Sequence, residues 1–290
     1  MHVLTLIAPQ GSAALTPALI ARVTEAVRGG PPNVLSDGEA ADIPIPAIPE
    51  PALIHAALDA APVDAVVTPA VGRRKRLLIA DMDSTIVTTE TLDELAAYAG
   101  LQDRVAAITR RSMNGEIDFA AALRERVGLL RGLSLDALAQ TWAATTLMPG
   151  AAELVGTMRA NGAKTALVSG GFTYFTGRVA ERLGFHVHRA NTLLDDGAAL
   201  TGEVGEPILD RAAKLDALQG LAAEHGLDMA DCLAVGDGAN DLAMIRAAGL
   251  GVAFHAKPIV SAEARVRIEH CGLRALLFMQ GYAAQEFVTA

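Results

Sequence analysis

Asp81 and Asp83 flank Met82 directly after the apolar run Leu77-Leu78-Ile79-Ala80, and Asp237 follows a second such run, Cys232-Leu233-Ala234-Val235. Carboxylates at the ends of buried strands lose hydration and repel one another unless a cation or hydrogen-bond donors compensate. A hard divalent cation with oxygen ligands, Mg²⁺ first among them, resolves that conflict and in turn favours a phosphate ligand. Taken alone, Asp-x-Asp reads equally well as a cap on the turn that follows. Its coincidence with Ser169-Gly170-Gly171-Phe172 and with the run Gly236 to Asp241 (GDGAND), each after an apolar strand, points to a site. Glycines let backbone N–H groups approach an anion closely, and a helix start favours negative charge.

The elements that must position these residues form an α/β core. Leu77–Ala80, Thr165–Val168 and Cys232–Val235 are short continuous apolar runs, as expected for parallel strands covered on both faces. Ligands of open α/β sheets bind beyond the carboxyl ends of the strands, so the three turns should converge. A plain crossover needs about a dozen residues, far fewer than separate the first run from the second, so a segment is inserted. The returning helix is expected to start at Pro149 and to end near Asn161-Gly162. The segment between, from Glu90 to Thr146, reads as a helical cap; Thr91 and Glu94 have capping-box spacing, and Gly100 is placed to end the first helix.

Residues 1–71 differ in texture and form the expected first domain, followed by a domain over 72–290 with its core at 72–89 and 147–290 and its cap at 90–146. The first 70 residues hold two Arg, no Lys and seven acids. The order there reads β-α-β-β-α-β, a ferredoxin-like split pattern. It resembles an ACT-type regulatory or dimerisation module; a spacer packed on the main domain is the competing reading. Arg73-Arg74-Lys75-Arg76 is read as a solvated linker at the boundary.

DMDSTIVTTE, VSGGF, the helical Lys214 and GDGANDLAM resemble the four motifs of the haloacid dehalogenase superfamily of phosphotransferases, over roughly Leu77 to Phe278. DMDSTIVTTETLDELA, FAAALRERVGLL and ANTLLDDGAALTGEV more narrowly resemble the phosphoserine phosphatase family. The resemblance implies that Asp81 is the nucleophile, forming an aspartyl-phosphate, and that Asp83 is the general acid and base. It also implies that Ser169, Gly170 and Lys214 cradle the phosphate and that Asp81, the backbone carbonyl of Asp83 and Asp237 hold Mg²⁺. Asn240 and Asp241 match the rest of the last motif, Asn240 on the substrate side and Asp241 as support. Glu90 and Arg126 match the positions that bind the ammonium and carboxylate of phosphoserine, an arrangement suited to arginine's bidentate grip. Met113 and Phe119 match apolar positions over the substrate, and either would serve equally as ordinary core. The activity implied is Mg-dependent hydrolysis of O-phospho-L-serine, the last step of serine biosynthesis, with L-serine as a regulator and a homodimer as expected partners.

Other readings compete. The catalytic residues equally suit another small phosphomonoester or transfer of the phosphoryl group to an alcohol such as homoserine. A non-enzyme reading makes the protein an amino-acid sensor; intact Asp81, Asp83, Lys214 and Asp237 speak against it. A dinucleotide fingerprint at Gly236 fails because Asp241 occupies the third glycine's place and Glu263 lies in a helix-like stretch. In His270-Cys271 the next arginine, Arg274, comes too soon for a phosphate loop. The 290 residues are 51% hydrophobic and 20% charged, enough for a sizeable core, and a net charge of −9 argues against nucleic-acid or anionic-membrane partners. With no span-length apolar run, a cytoplasmic location is expected. Cys232 and Cys271 sit apart, without a CxxC, and read as buried packing residues.

Overall fold

The computed structural model describes residues 1–113 and 116–289, except for the side chain of Met113. Its first part comprises β1 (His2–Ile7), α1 (Pro17–Ala26), β2 (Asn33–Ser36), β3 (Ala40–Ile45), α2 (Pro51–Leu58) and β4 (Asp64–Pro69). The strands pair antiparallel in the order β2-β3-β1-β4. Residues alternate across the sheet. Leu4, Leu6, Ala41 and Ile43 pack with Leu19 and Val23 of α1, whereas Ile7, Ala40 and Val66 join the core of the rest of the chain. The sheet is thus buried on both faces.

Leu77–Ala80 forms β5, followed by four helices, α3 (Thr91–Tyr98), α4 (Gln102–Met113), α5 (Phe119–Gly128) and α6 (Leu135–Ala144). The chain returns through α7 (Ala151–Ala160), β6 (Lys164–Phe172), α8 (Thr173–Leu183), β7 (Val187–Asn191), β8 (Leu193–Asp195) and β9 (Leu200–Val204). It ends with α9 (Arg211–Glu224), β10 (Cys232–Gly236), α10 (Leu242–Ala247), β11 (Leu250–Phe254), α11 (Pro258–Glu263), β12 (Val266–Ile268) and α12 (Ala275–Met279). The main sheet is parallel, ordered β12-β11-β10-β5-β6-β7, so β5, β10 and β6 are neighbours and their carboxyl ends open on one edge. Leu78, Leu167 and Val235 face one apolar cluster and Leu77, Ile79 and Ala234 the other, which explains the unbroken hydrophobic runs. Among the described residues no helix is long and apolar enough to cross a membrane.

Three expectations change. Arg74 and Arg76 of the Arg73–Arg76 stretch are exposed, as a solvated linker predicts, but Arg73 is not. Arg73 lies largely buried, its guanidinium on both Asp42 carboxylate oxygens at 2.5 and 2.9 Å and on the Phe278 and Met279 carbonyls. Arg74 pairs with Glu286 and lies over the Tyr282 ring. The helix after the cap begins at Ala151 rather than Pro149. Gly150 precedes it with φ +87°, the left-handed region that favours glycine, and a Cβ there would meet the Arg274 backbone. The Pro149 carbonyl instead accepts from Leu273 N–H. Third, α3 lacks the expected capping box: Glu90 is its N-cap, its side chain making no capping bond, and the Thr91 hydroxyl is buried unpaired. The Thr91 N–H donates instead to Asp83 Oδ1 at 3.0 Å, so a site residue caps the first cap helix.

Candidate active site

Asp81 leaves β5 with its N–H donating to the Val235 carbonyl of β10, which seats its carboxylate between two strand ends. Its Oδ1 accepts from Met82 N–H at 2.8 Å and pairs with the Lys214 ammonium at 2.8 Å. Lys214 sits in the first turn of α9, whose N-cap Asp210 accepts from Ala212 and Ala213 N–H, and is only 2% exposed. Its Nζ also reaches Asp241 Oδ1 at 2.6 Å. Burial alone would lower its pKa, but Asp241 and Asp81 outweigh it and hold the ammonium charged, above its ordinary value.

Asp237 follows β10. Its carboxylate meets the Thr85 hydroxyl at 3.5 Å and the partly exposed Lys257 ammonium at 3.7 Å. Burial and the charge of Asp81 push the Asp237 carboxyl up to about 7. The same two causes push Asp241 to about 8. Carboxylate oxygens of Asp81, Asp237 and Asp241 lie within 4.8 Å of one another, all buried. The buried Lys214 ammonium touches two of the three and the partly exposed Lys257 approaches the third, so three carboxylates face two ammonium groups in a largely buried pocket. That donor set fits an oxygen-preferring divalent cation. Asp241 is itself held on both oxygens, by the Lys214 ammonium on Oδ1 and by Gly238 N–H on Oδ2 at 3.0 Å.

Asp83 points the other way, toward the inserted helices. Its Oδ1 accepts from Thr91 N–H and its Oδ2 lies 3.4 Å from the Ser169 hydroxyl. Burial first, then Glu90, push its carboxyl up to about 7, against the Thr91 hydrogen bond. A group held there can carry a proton at neutral pH, as a general acid must. Ser169 is buried where β6 leaves the ladder, and its hydroxyl accepts from Gly171 N–H at 2.9 Å. A Cβ on Gly171 would lie 2.8 Å from Asp83 Oδ2, so any other residue there would press on that carboxylate.

The inserted helices contribute Glu90, Arg126 and Phe119. Glu90 is exposed and accepts from the Ser84 hydroxyl at 2.8 Å. Arg126 on α5 is half-buried; its Nε bonds the Ala122 carbonyl and its Nη1 the Thr109 hydroxyl. Burial lowers its pKa, opposed by the charges of Asp93, Glu90 and Asp83. The neighbouring arginines face elsewhere: Arg111, Arg124 and Arg131 pair with surface glutamates, and Arg104 and Arg110 are exposed. The Phe119 ring lies over Gly170, where a Cβ would be 3.3 Å from its edge. The Asn240 amide oxygen fills the space beside Gly238. The Met113 side chain, also expected here, lies outside the described residues.

Sequence reasoning missed Lys257, Asp93 and Asn191. Asp93 is half-buried on α3 and its carboxyl is raised by burial and Glu90. Lys257 is tied to the site by its N–H, which donates to the Asp237 carbonyl at 3.1 Å. Lys257 and Asn191 come from elements away from the motif residues they meet, whereas Asp93 is only three residues from Glu90 and reads there as an ordinary acid in a first helical turn.

A family model described as haloacid dehalogenase-like hydrolase matches residues 75–249, more than half of the chain. The phosphoserine phosphatase of Streptomyces coelicolor is 41% identical over 226 residues, 78% of this chain and 55% of that protein. Among the first relatives the matched part is 55 to 64% of their length, so this chain spans little more than half of them. The crystal structure of a probable phosphoserine phosphatase from Vibrio cholerae superposes with a TM-score of 0.80 at 33% identity, over 98% of this chain and 88% of that one. A phospho-aspartyl intermediate analogue of phosphoserine phosphatase gives a TM-score of 0.67 at 38% identity, over 71% of this chain and 98% of that one.

Proposed function

The chain belongs to the haloacid dehalogenase-like hydrolases, and from that premise we propose that it hydrolyses O-phospho-L-serine to L-serine and phosphate through an aspartyl-phosphate on Asp81. The observation that carries the reading is the division of labour between two carboxyls two residues apart. Asp81 is ion-paired with Lys214 at 2.8 Å, whereas Asp83, beside Ser169, is pushed up to about 7. The first can attack as an anion while the second is protonated.

In this reading a carboxylate oxygen of Asp81 bonds to phosphorus as the bond from phosphorus to the serine oxygen breaks, and Asp83 gives that oxygen its proton. Asp83 then takes a proton from water, whose oxygen attacks phosphorus and releases Asp81 and phosphate. Lys214 and Ser169 meet the charge on the phosphoryl oxygens, aided by the glycine backbone. Asp81, the Asp83 carbonyl and Asp237 would hold Mg²⁺, with Asp241 at the edge of the same cluster. When bound, the ion would neutralise carboxylate and phosphate charge.

Choice of phosphoserine rests on the inserted helices, because every phosphomonoester presents the same phosphate. Glu90 suits the substrate ammonium and Arg126 its carboxylate, while Phe119 and Met113 would close over them. The first 71 residues, in the same reading, form a regulatory or dimerisation module responsive to L-serine, and the enzyme works in the cytoplasm. The test is a panel of phosphoserine, phosphothreonine and a sugar phosphate at matched concentration with Mg²⁺, run on the protein and on Asp81→Asn. Phosphoserine should be preferred, and the variant should be inactive but folded. Preference for another ester overturns the substrate; residual turnover by the variant overturns the nucleophile.

A further inference from the structure

The strand that carries Ser169 and Gly170 does not run straight. β6 pairs with β7 through Val168 opposite Arg189, and pairing resumes at Phe172 opposite Asn191, so Ser169, Gly170 and Gly171 face the single residue Ala190. A bulge of this kind bends the strand and re-aims its side chains. It also removes the backbone partners that would fix those residues in place.

The missing partner comes from β7 itself. Asn191 is 2% exposed, and its Nδ2 donates to the Gly170 carbonyl at 2.9 Å. The other end of the same amide accepts from Leu209 N–H at 2.7 Å, and Nδ2 also approaches the Leu209 carbonyl at 3.5 Å. Leu209 immediately precedes Asp210, the N-cap of α9, and α9 carries Lys214. One buried amide therefore joins the bulged loop that presents Ser169 and Gly170 to the start of the helix that presents Lys214. These segments are separated by roughly forty residues of chain; α9 also packs on the earlier part of β6, where Ala166 and Val168 share a cluster with Ala217 and Leu218, and Asn191 adds a polar tie at the bulged end.

We propose that Asn191 is a positioning residue that sets the distance and orientation between the Ser169-Gly170 loop and the Lys214 helix, and so shapes the phosphoryl site from behind. An amide suits this place because donor and acceptor sit on one rigid plane; aspartate keeps the acceptor for Leu209 but turns an oxygen against the Gly170 carbonyl. Misplacing transition-state donors by about 1 Å costs on the order of 10- to 100-fold in rate. The inference rests on the phosphatase reading above.

The experiment compares the full-length protein with Asn191→Ala and Asn191→Asp, saturated with Mg²⁺. It measures kcat and KM on phosphoserine and p-nitrophenyl phosphate, inhibition by inorganic phosphate, and Tm. Both variants should lose about tenfold or more in kcat/KM on both esters, and phosphate should inhibit more weakly in step. The ratio between the two esters should hold, because Asn191 does not touch the cap residues that grip the serine moiety. Folded variants with unchanged kinetics, or with only Tm lowered, would overturn the proposal, as would a loss confined to phosphoserine. Should Asn191→Ala fail to fold, Asn191→Asp, which preserves shape and the Leu209 bond, decides alone. An unmutated protein that hydrolyses neither ester would instead count against the phosphatase reading.

Discussion

Stripping divalent cations from the protein should make its stability fall as pH rises, and Asp237 is one of the carboxyls that contribute to that slope. Burial and Asp81 push its carboxyl up to about 7 in the folded chain, whereas an unfolded carboxyl titrates near 4. Folding therefore takes up a proton between those values. The stabilisation is fully present below the unfolded pKa and is lost as pH rises toward about 7. One such group contributes up to about 1.4 kcal/mol per pH unit, or about 3–5 °C in Tm for a chain of this size. Asp83 and Asp241, pushed up to about 7 and about 8, act in the same direction. The assay is thermal unfolding in excess chelator between pH 5.5 and 8, for the unmutated chain and for Asp237→Asn. The variant should show the shallower slope and be the more stable of the two at pH 8. Adding Mg²⁺ should raise Tm of the unmutated chain more at pH 8 than at pH 6, because cation and proton compete for the same oxygens. A chelated Tm that is flat or rising over this range, or equal slopes in the two proteins, would refute the reasoning.

Other perturbations separate the parts of the molecule. Arg126→Ala should weaken kcat/KM for phosphoserine by at least about tenfold while changing p-nitrophenyl phosphate little; an equal loss on both would mean a different arginine holds the carboxylate. Gly171→Ala puts a methyl group 2.8 Å from Asp83 Oδ2, so kcat should drop sharply with a Tm change of only a few degrees, and unchanged turnover in steady-state assays would show that Asp83 has room to shift. Arg73→Met strands the buried Asp42 carboxylate and should cost about 3–5 kcal/mol in denaturant unfolding, with a loss below 1 kcal/mol counting against that ion pair as an anchor.

Much of the site was readable in residue order because the chemistry is concentrated at strand ends. Asp81 and Asp83 are two apart, Ser169 to Gly171 are contiguous, and Asp237 to Asp241 fall within five residues. Apolar runs before each turn imply buried parallel strands, and parallel strands imply that their turns share an edge. The β-α-β-β-α-β order at the start of the chain was legible for a related reason, since alternation and turn residues are local signals. Arg73 was misread by the same local logic. Four basic residues in succession look solvated, and only the docked sheet with Asp42 on its inner face makes one of them a buried cation.

What the sequence by itself determined is which residue types stand at the ends of which strands, and hence where a cluster of carboxylates and glycine-rich turns is to be expected. What only the tertiary structure decided is how those groups are divided and held. It assigns Lys214 to Asp81 and Asp241, turns Asp83 toward Ser169 and Thr91, leaves Arg126 half-buried on Ala122 and Thr109 while Arg104, Arg110, Arg111, Arg124 and Arg131 are exposed or paired at the surface, and brings Asn191 against Gly170. Charges and hydrogen bonds act over a few ångströms of space, and the burial that shifts Asp83 and Asp237 is created by packing partners distant in the chain.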